Sequence, residues 1–283
     1  MDYVTLNTGA RMPRIGYGVF QIPPKECTQC VLDALDVGYR HIDTAQAYFN
    51  EAEVGEAIAT SGIPREEIFL TTKVWISNAG EEKAYASILE SLKKLKTDYI
   101  DLLLIHQPFG DYYGTYRAMQ KAQREGLVKS YGVSNFFPDR FVDLVECTGI
   151  VPAVNQIEGH VFNQQVKARN IYARYGTAVV AWAPFAEGKR NMFRNPVIAK
   201  IGKQYGKSNA QVALRFLLQS GMSVLPKSVH KARMVENFDI FNFSLSIEDM
   251  QSIAALDGGE SLFISHTDPD MVKFLIDYTK KKN

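Results

Sequence analysis

The stretch RHIDTAQAYFNEAEVGEAIATSGIPREEIFLTTKVW, residues 40–75, reads as a strand, a helix and a second strand. Tyr39–Ile42 is a short apolar run. Asn50 then stands where a helix N-cap is expected, Glu53 falls at N3, and Gly62 ends the pattern. Ile68–Lys73 is the next apolar run. Two such runs joined through a helix make a parallel pair with a right-handed crossover.

The same unit repeats in both directions. Apolar runs recur at Tyr99–Ile105, Val128–Val133, Ala153–Ile157, Ala178–Trp182 and Met222–Leu225, and RIGYGVF (14–20) supplies one before Tyr39. Helical patterns of roughly ten to fifteen residues separate them. Ala84, Ile88, Leu92 and Leu95 form one helical stripe, and Ser208 with Gln211 has the spacing of a capping box. PPKECTQCVLDALDVGYR (23–40) is a helix opened by proline and stopped by Gly38. Strand then helix, eight times over, leaves an open doubly wound sheet or a closed barrel. The nucleotide-binding open sheet carries G-x-G-x-x-G after its first strand. GYGVFQ (16–21) has two glycines and no third, and no Pro/Gly/Ser-rich linker divides the chain. One (β/α)8 TIM barrel domain spanning residues 1–283 is therefore expected. YVTLNTGARMPRIGYG (3–18) adds an N-terminal β-hairpin turning at Asn7-Thr8-Gly9, expected to cap the barrel bottom.

Charge is balanced, with 32 basic and 31 acidic residues and no long block of either sign. Nucleic acid and anionic membrane are poor partners for such a surface. KKKN (280–283) reads as a solvated tail. No charged start with an apolar h-region and no run of 18 apolar residues is found, so a soluble, cytoplasmic protein is expected. Three cysteines are too few, and odd in number, for a secreted disulfide framework. The pair in CTQC (27–30) shares a helix face by geometry alone, and no second C-x-x-C or H-x-x-x-H completes a zinc site. No metal is expected.

Barrel enzymes draw their catalytic side chains from the C-terminal ends of the strands. HIDTAQAY ends one run with Asp43 and, a loop later, Tyr48; FLTTKVW supplies Lys73; LLLIHQP supplies His106. Taken singly, these are a turn former, a packed aromatic, a solvated rim lysine and a core histidine. Taken together, they place a carboxylate, a phenol, an amine and an imidazole on one face. A phenol titrates near about 10, and a neighbouring ammonium lowers that value. Tyr48 is then a general acid, Lys73 its tuning charge, Asp43 the group that orients Lys73, and His106 a group that orients a carbonyl oxygen or shares the proton relay. The set protonates an oxygen on which negative charge develops. It holds no nucleophile, so hydride from a nicotinamide is the natural second reactant.

With these residues in place the chain resembles the aldo-keto reductase superfamily. HIDTAQAYFNE, FLTTKVW, DYIDLLLIHQP, YGVSNF, VNQIEGH, AWAPFAEG and LPKSVHKARMVEN carry the resemblance over nearly the whole length. It implies NADPH bound over the strand ends without a Rossmann domain, and reduction of small aldehydes, ketones and dicarbonyls. Ser134, Asn135 and Gln156 match residues that hold the nicotinamide carboxamide, Trp182 matches the ring on which it stacks, and Thr44 joins the cofactor set. Lys227, Ser228 and Arg233, near a helix start, match the 2′-phosphate site; Glu236 and Asn237 match adenine contacts. A solvated charge run is the alternative for the phosphate group, and a core aromatic for Trp182.

The chain departs from the family pattern in three places. Gln107 stands where Trp is common, Phe49 where many members have Gly, and His230 and Lys231 where a small hydroxyl residue and Pro are common. Trp75, His106, Gln107 and Phe20, with Phe109 and Tyr113, are candidate substrate-wall residues, with ordinary packing as the alternative for the aromatics. The tail FISHTDPDMVKFLIDYTKKKN (263–283) shows no long specificity loop. The family implies a monomer or weak homodimer acting on small molecules. A barrel that binds NADPH as a sensing or interaction subunit is the competing reading.

Overall fold

The computed structural model describes residues 2–280, so residues 281–283 of the expected solvated tail fall outside it. Strands β1 (Tyr3–Thr5) and β2 (Arg11–Pro13) pair antiparallel around Gly9, whose φ of 85° makes the turn. Eight parallel strands follow in sequential order: β3 (Tyr17–Gly18), β4 (His41–Asp43), β5 (Phe69–Val74), β6 (Ile100–Ile105), β7 (Val128–Ser134), β8 (Val154–Glu158), β9 (Ala178–Trp182) and β10 (Ser223–Val224). Ile15 closes the ring through a parallel bridge to Val224. There Gly16 N–H donates to the Val224 carbonyl and Val224 N–H to that of Arg14. The expected barrel is formed.

Helices α1 (Pro24–Val37), α2 (Glu51–Thr60), α3 (Glu81–Lys94), α4 (Tyr112–Arg124), α5 (Pro138–Thr148), α6 (Val166–Arg174), α7 (Pro196–Tyr205), α8 (Asn209–Gln219), α9 (Lys231–Phe238), α10 (Ile247–Ala254) and α11 (Pro269–Lys280) fill the connections and the tail. Gly38 ends α1 at φ 117°, and the Ser208–Gln211 capping box opens α8. Ala84, Ile88, Leu92 and Leu95 are buried along one face. Asn50 does sit at the N-cap of α2, but its side chain caps nothing. It is buried, donates to the carbonyls of Val19 and Ile22, and accepts from the Thr44 hydroxyl. The Thr44 hydroxyl thus occupies the Oδ1 that a cap would have used, while Nδ2 ties down two loop carbonyls. Cys27 and Cys30 are free, buried thiols on α1, and burial pushes Cys27 up to about 12, where it is a poor nucleophile and metal ligand.

Leu6 and Met12 of the hairpin pack with Phe69, Leu102, Val154 and Val180, closing the lower end of the barrel interior. The Asn7 side chain donates to the Val151 carbonyl, and the Thr8 and Ser130 hydroxyls meet at 2.7 Å. The hairpin is thus a floor held by apolar and polar contacts alike.

Two stability predictions arise here. A Cβ on Gly132 of β7 would lie 2.3 Å from the carbonyl oxygen of Val154 on β8. Backbone cannot yield there, so Gly132→Ala should lower unfolding free energy by roughly 3 kcal/mol or more, read from its urea midpoint. His41 is fully buried, bonds the Thr71 hydroxyl, and is pushed down to about 4 by that burial. The unfolded chain binds this proton near about 6.5, so stability is full above that pH and falls as pH drops towards 4. His41 alone should cost about 3 kcal/mol over that window. Thermal melts of His41→Gln should show a shallower acid decline than the parent.

Candidate active site

Parallel register brings the candidate residues together. Asp43 at the end of β4 lies opposite Thr71 of β5, and Lys73 of β5 lies opposite Leu104 of β6, two residues before His106. Lys73 is buried, and its ammonium donates to Asp43 Oδ1 at 2.6 Å, the Thr44 carbonyl at 2.8 Å and the Tyr48 hydroxyl at 3.3 Å. Three acceptors match its three protons. Asp43 Oδ2 accepts from Gln156 Nε2 of β8 at 2.8 Å, so both carboxylate oxygens are engaged. The His106 ring stands edge-on to Tyr48 and to Trp75, at 5.6 and 4.9 Å between centroids.

Burial sets the protonation states. It pushes Lys73 down, yet Asp43 and Tyr48 together raise it above the usual lysine value. Burial also raises Tyr48, and the pull of Lys73 offsets that only in part. The sequence led us to expect a lowered phenol; in the folded site desolvation wins. His106 is held well below its ordinary value by burial, with Lys73 and His266 adding to it. Near neutral pH the site therefore holds an ammonium, a protonated phenol and a neutral imidazole.

Tyr48 lies in a 3-10 turn, Gln46–Tyr48, and Gln46 pins that turn. Its Nε2 donates to the Ser87 and Ser91 hydroxyls of α3, and its Oε1 accepts from Trp75 N–H and Asn78 Nδ2. Nothing in the sequence signals this role beyond the position of Gln46 two residues before Tyr48.

The other candidates gather around the same rim. Ser134 ends β7 and donates to the Gln156 carbonyl. Asn135 follows with φ 63°; its Nδ2 donates to the His106 carbonyl, and its Oδ1 accepts from Trp182 Nε1 at 2.9 Å. Asn135 and Trp182 line a cavity of about 420 Å³, together with Glu158 and His266. Glu158 anchors the tail over it, accepting from the Ser261 hydroxyl, Leu262 N–H and His160 Nε2. Phe263 of that tail meets Trp182 edge-on.

Beyond β10, Lys227 and Arg233 are exposed, with no ion-pair partner among the described residues. Ser228 accepts from His230 N–H, and the Tyr17 and Tyr39 hydroxyls donate to the Ser228 and Met234 carbonyls, fixing the start of α9. Lys231 instead pairs with Asp36 and Asp33 of α1. Glu236 is half-buried and Asn237 buried. Thr44 is turned inward, its hydroxyl on Asn50. Phe20, 50% exposed, lies against the Tyr48 ring. Gln107 is buried beside His106. Phe109 is packed under Arg140 and against His266, and the Tyr113 hydroxyl donates to Asp143 of α5 in the outer helix layer. The tail that looked short carries α11, which packs against the turn Ile76–Asn78 after β5.

Residues 9–258 match the model of the aldo/keto reductase family. The chain belongs to that family. An aldo-keto reductase of Mycolicibacterium smegmatis is 46% identical over 262 residues, 92% of this chain and 94% of the relative. Methylglyoxal reductase DkgA of Escherichia coli is 41% identical over 270 residues, 94% of this chain and 96% of its own length. The crystal structure of a Bombyx mori aldo-keto reductase in complex with NADP superposes with a TM-score of 0.89 at 33% identity, covering 96% of each chain. Set beside the aldo/keto reductase pattern, Phe49 becomes legible. Its φ of 57° lies in the left-handed region, which Gly, common there in the family, adopts without strain. Phe49 holds the same conformation and is 64% exposed.

Proposed function

We propose that this aldo/keto reductase reduces small aldehydes, ketones or dicarbonyls to alcohols with NADPH, Tyr48 acting as the general acid. The knot of Asp43, Lys73 and Tyr48 beside a neutral His106 carries the reading. Bound NADPH supplies a hydride to the carbonyl carbon. As negative charge grows on the oxygen, Tyr48 gives up its proton, and the phenolate left behind faces the Lys73 ammonium. Asp43, held by Gln156, keeps that ammonium in place. His106 Nδ1 is buried without a partner among the described residues, so the ring proton belongs on Nε2, where it can donate to the carbonyl oxygen.

The residues present suit a phosphorylated nicotinamide dinucleotide. Trp182, its ring held by Asn135, offers a stacking face; Ser134, Asn135 and Gln156 offer amide and hydroxyl partners for a carboxamide. Lys227 and Arg233 offer two unpaired cations for a 2′-phosphate, with Ser228 between them in the chain. Thr44, Glu236 and Asn237 complete the proposed set. NADP in the Bombyx mori relative supports this choice. Residues 1–283 would act as one domain, as a monomer or weak homodimer in the cytoplasm. Among the described residues no helix is long and apolar enough to cross a membrane.

Purified protein should consume NADPH in the presence of aldehydes and dicarbonyls, followed by nicotinamide absorbance. Tight NADPH binding without turnover of any carbonyl would favour the subunit reading instead. Arg233→Ala should weaken NADPH roughly 10- to 100-fold, the loss of one charge-assisted contact, and NADH far less. Equal losses for both, measured by fluorescence titration, would reject the phosphate assignment.

A further inference from the structure

Gln107 directly follows His106, takes the place where the family often has Trp, and is only 7% exposed. A chain of hydrogen bonds fixes which way its amide points. The Trp182 indole N–H can only donate, so the Asn135 atom 2.9 Å away is Oδ1. Asn135 Nδ2 is then the donor to the His106 carbonyl at 3.1 Å, to the Ser134 hydroxyl oxygen at 3.2 Å and, at a longer 3.4 Å, to Gln107, which makes the Gln107 acceptor Oε1. His266 Nε2 lies 2.7 Å from the same oxygen and donates to it. Burial pushes His266 down to about 4, so it stays neutral near pH 7 with its proton on Nε2. Phe109 and Phe137 hold its ring in place.

Gln107 Nε2 is left over. It bonds no protein atom among the described residues, yet it is not among the sealed, unsatisfied buried atoms. A nine-tenths buried amide next in the chain to His106 thus keeps two donors open, where the indole common in the family would offer a single N–H and a broad apolar face.

We propose that Gln107, locked by His266, is a specificity-determining residue that donates to a second, neutral oxygen on the carbon next to the reacting carbonyl. The substrates it selects are small 1,2-dicarbonyl compounds, ahead of monocarbonyl aldehydes of the same length. Gln107 touches the substrate; His266 is a positioning residue that prevents the amide from flipping. This rests on the carbonyl-reductase reading above. An apolar side chain at 107 leaves the second oxygen without a donor in a dry site, which works against that substrate alone.

The test compares kcat/KM for methylglyoxal and propanal, with NADPH, in the parent and in Gln107→Leu. The ratio of the two values cancels their intrinsic reactivities. Gln107→Leu should lower the methylglyoxal-to-propanal ratio about tenfold, one neutral hydrogen bond. His266→Phe, which keeps the ring but loses the donor, should lower it less, and His266→Gln should restore it. The double variant Gln107→Leu/His266→Phe should fall no further than Gln107→Leu alone. A ratio held within about twofold in Gln107→Leu, or a loss traced wholly to weaker NADPH binding, would overturn the proposal and leave the reductase reading standing. A parent protein that turns over neither carbonyl would overturn both.

Discussion

Tyr48→Phe is expected to lower kcat for carbonyl reduction by roughly a thousandfold, within the usual range for losing a general acid. The substitution removes one oxygen and keeps the ring that packs against Phe20 and His106. Lys73 keeps its two stronger partners, Asp43 and the Thr44 carbonyl, so its placement should survive. NADPH affinity should hold within about twofold, because Tyr48 is not among the proposed cofactor contacts. Stopped-flow hydride transfer and a fluorescence titration separate the two quantities. Retention of more than about a tenth of the parent rate would show that another group delivers the proton.

Lys73→Met is expected to cost both activity and stability, for different reasons. The thioether fills the space of the lysine stem but leaves Asp43 buried with Gln156 as its remaining side-chain partner. An ion pair broken from one side strands a charge in a dry interior, at about 3–5 kcal/mol. Reduction should fall by roughly a thousandfold as well, since the phenolate formed from Tyr48 then faces no ammonium. The two effects come apart in Lys73→Met/Asp43→Asn. With no stranded charge, the double variant should regain most of the lost stability in urea titrations while staying inactive. A double variant as unstable as Lys73→Met would place the cost in packing instead.

The barrel was legible because strands buried on both faces read as apolar runs, and the fully buried Leu102–Ile105 of β6 shows this plainly. Its ends were less so: β10 is only Ser223–Val224, since the pairing that closes the ring is brief. The candidate catalytic residues could be found because Asp43, Lys73 and His106 lie at or next to strand ends and Tyr48 in the turn after β4, and strand ends have a fixed place in the fold. Asn50 takes the N-cap position expected of it but makes no capping bond, because the Thr44 hydroxyl holds its Oδ1. Tyr48 misled because sequence reveals the neighbouring charge but not the depth of burial, and depth decided the direction. His266 left no signal at all. It lies 159 residues from Gln107, and a contact across that distance produces neither spacing nor periodicity.

Gln46 gathers α3, the turn after β5 and the turn bearing Tyr48 onto a single amide. Ser87 and Ser91 belong to an outer helix, yet under the proposed mechanism they would help decide where a proton is handed over. Reshaping that helix, for solubility or for heat tolerance, therefore amounts to altering the acid's aim from a distance.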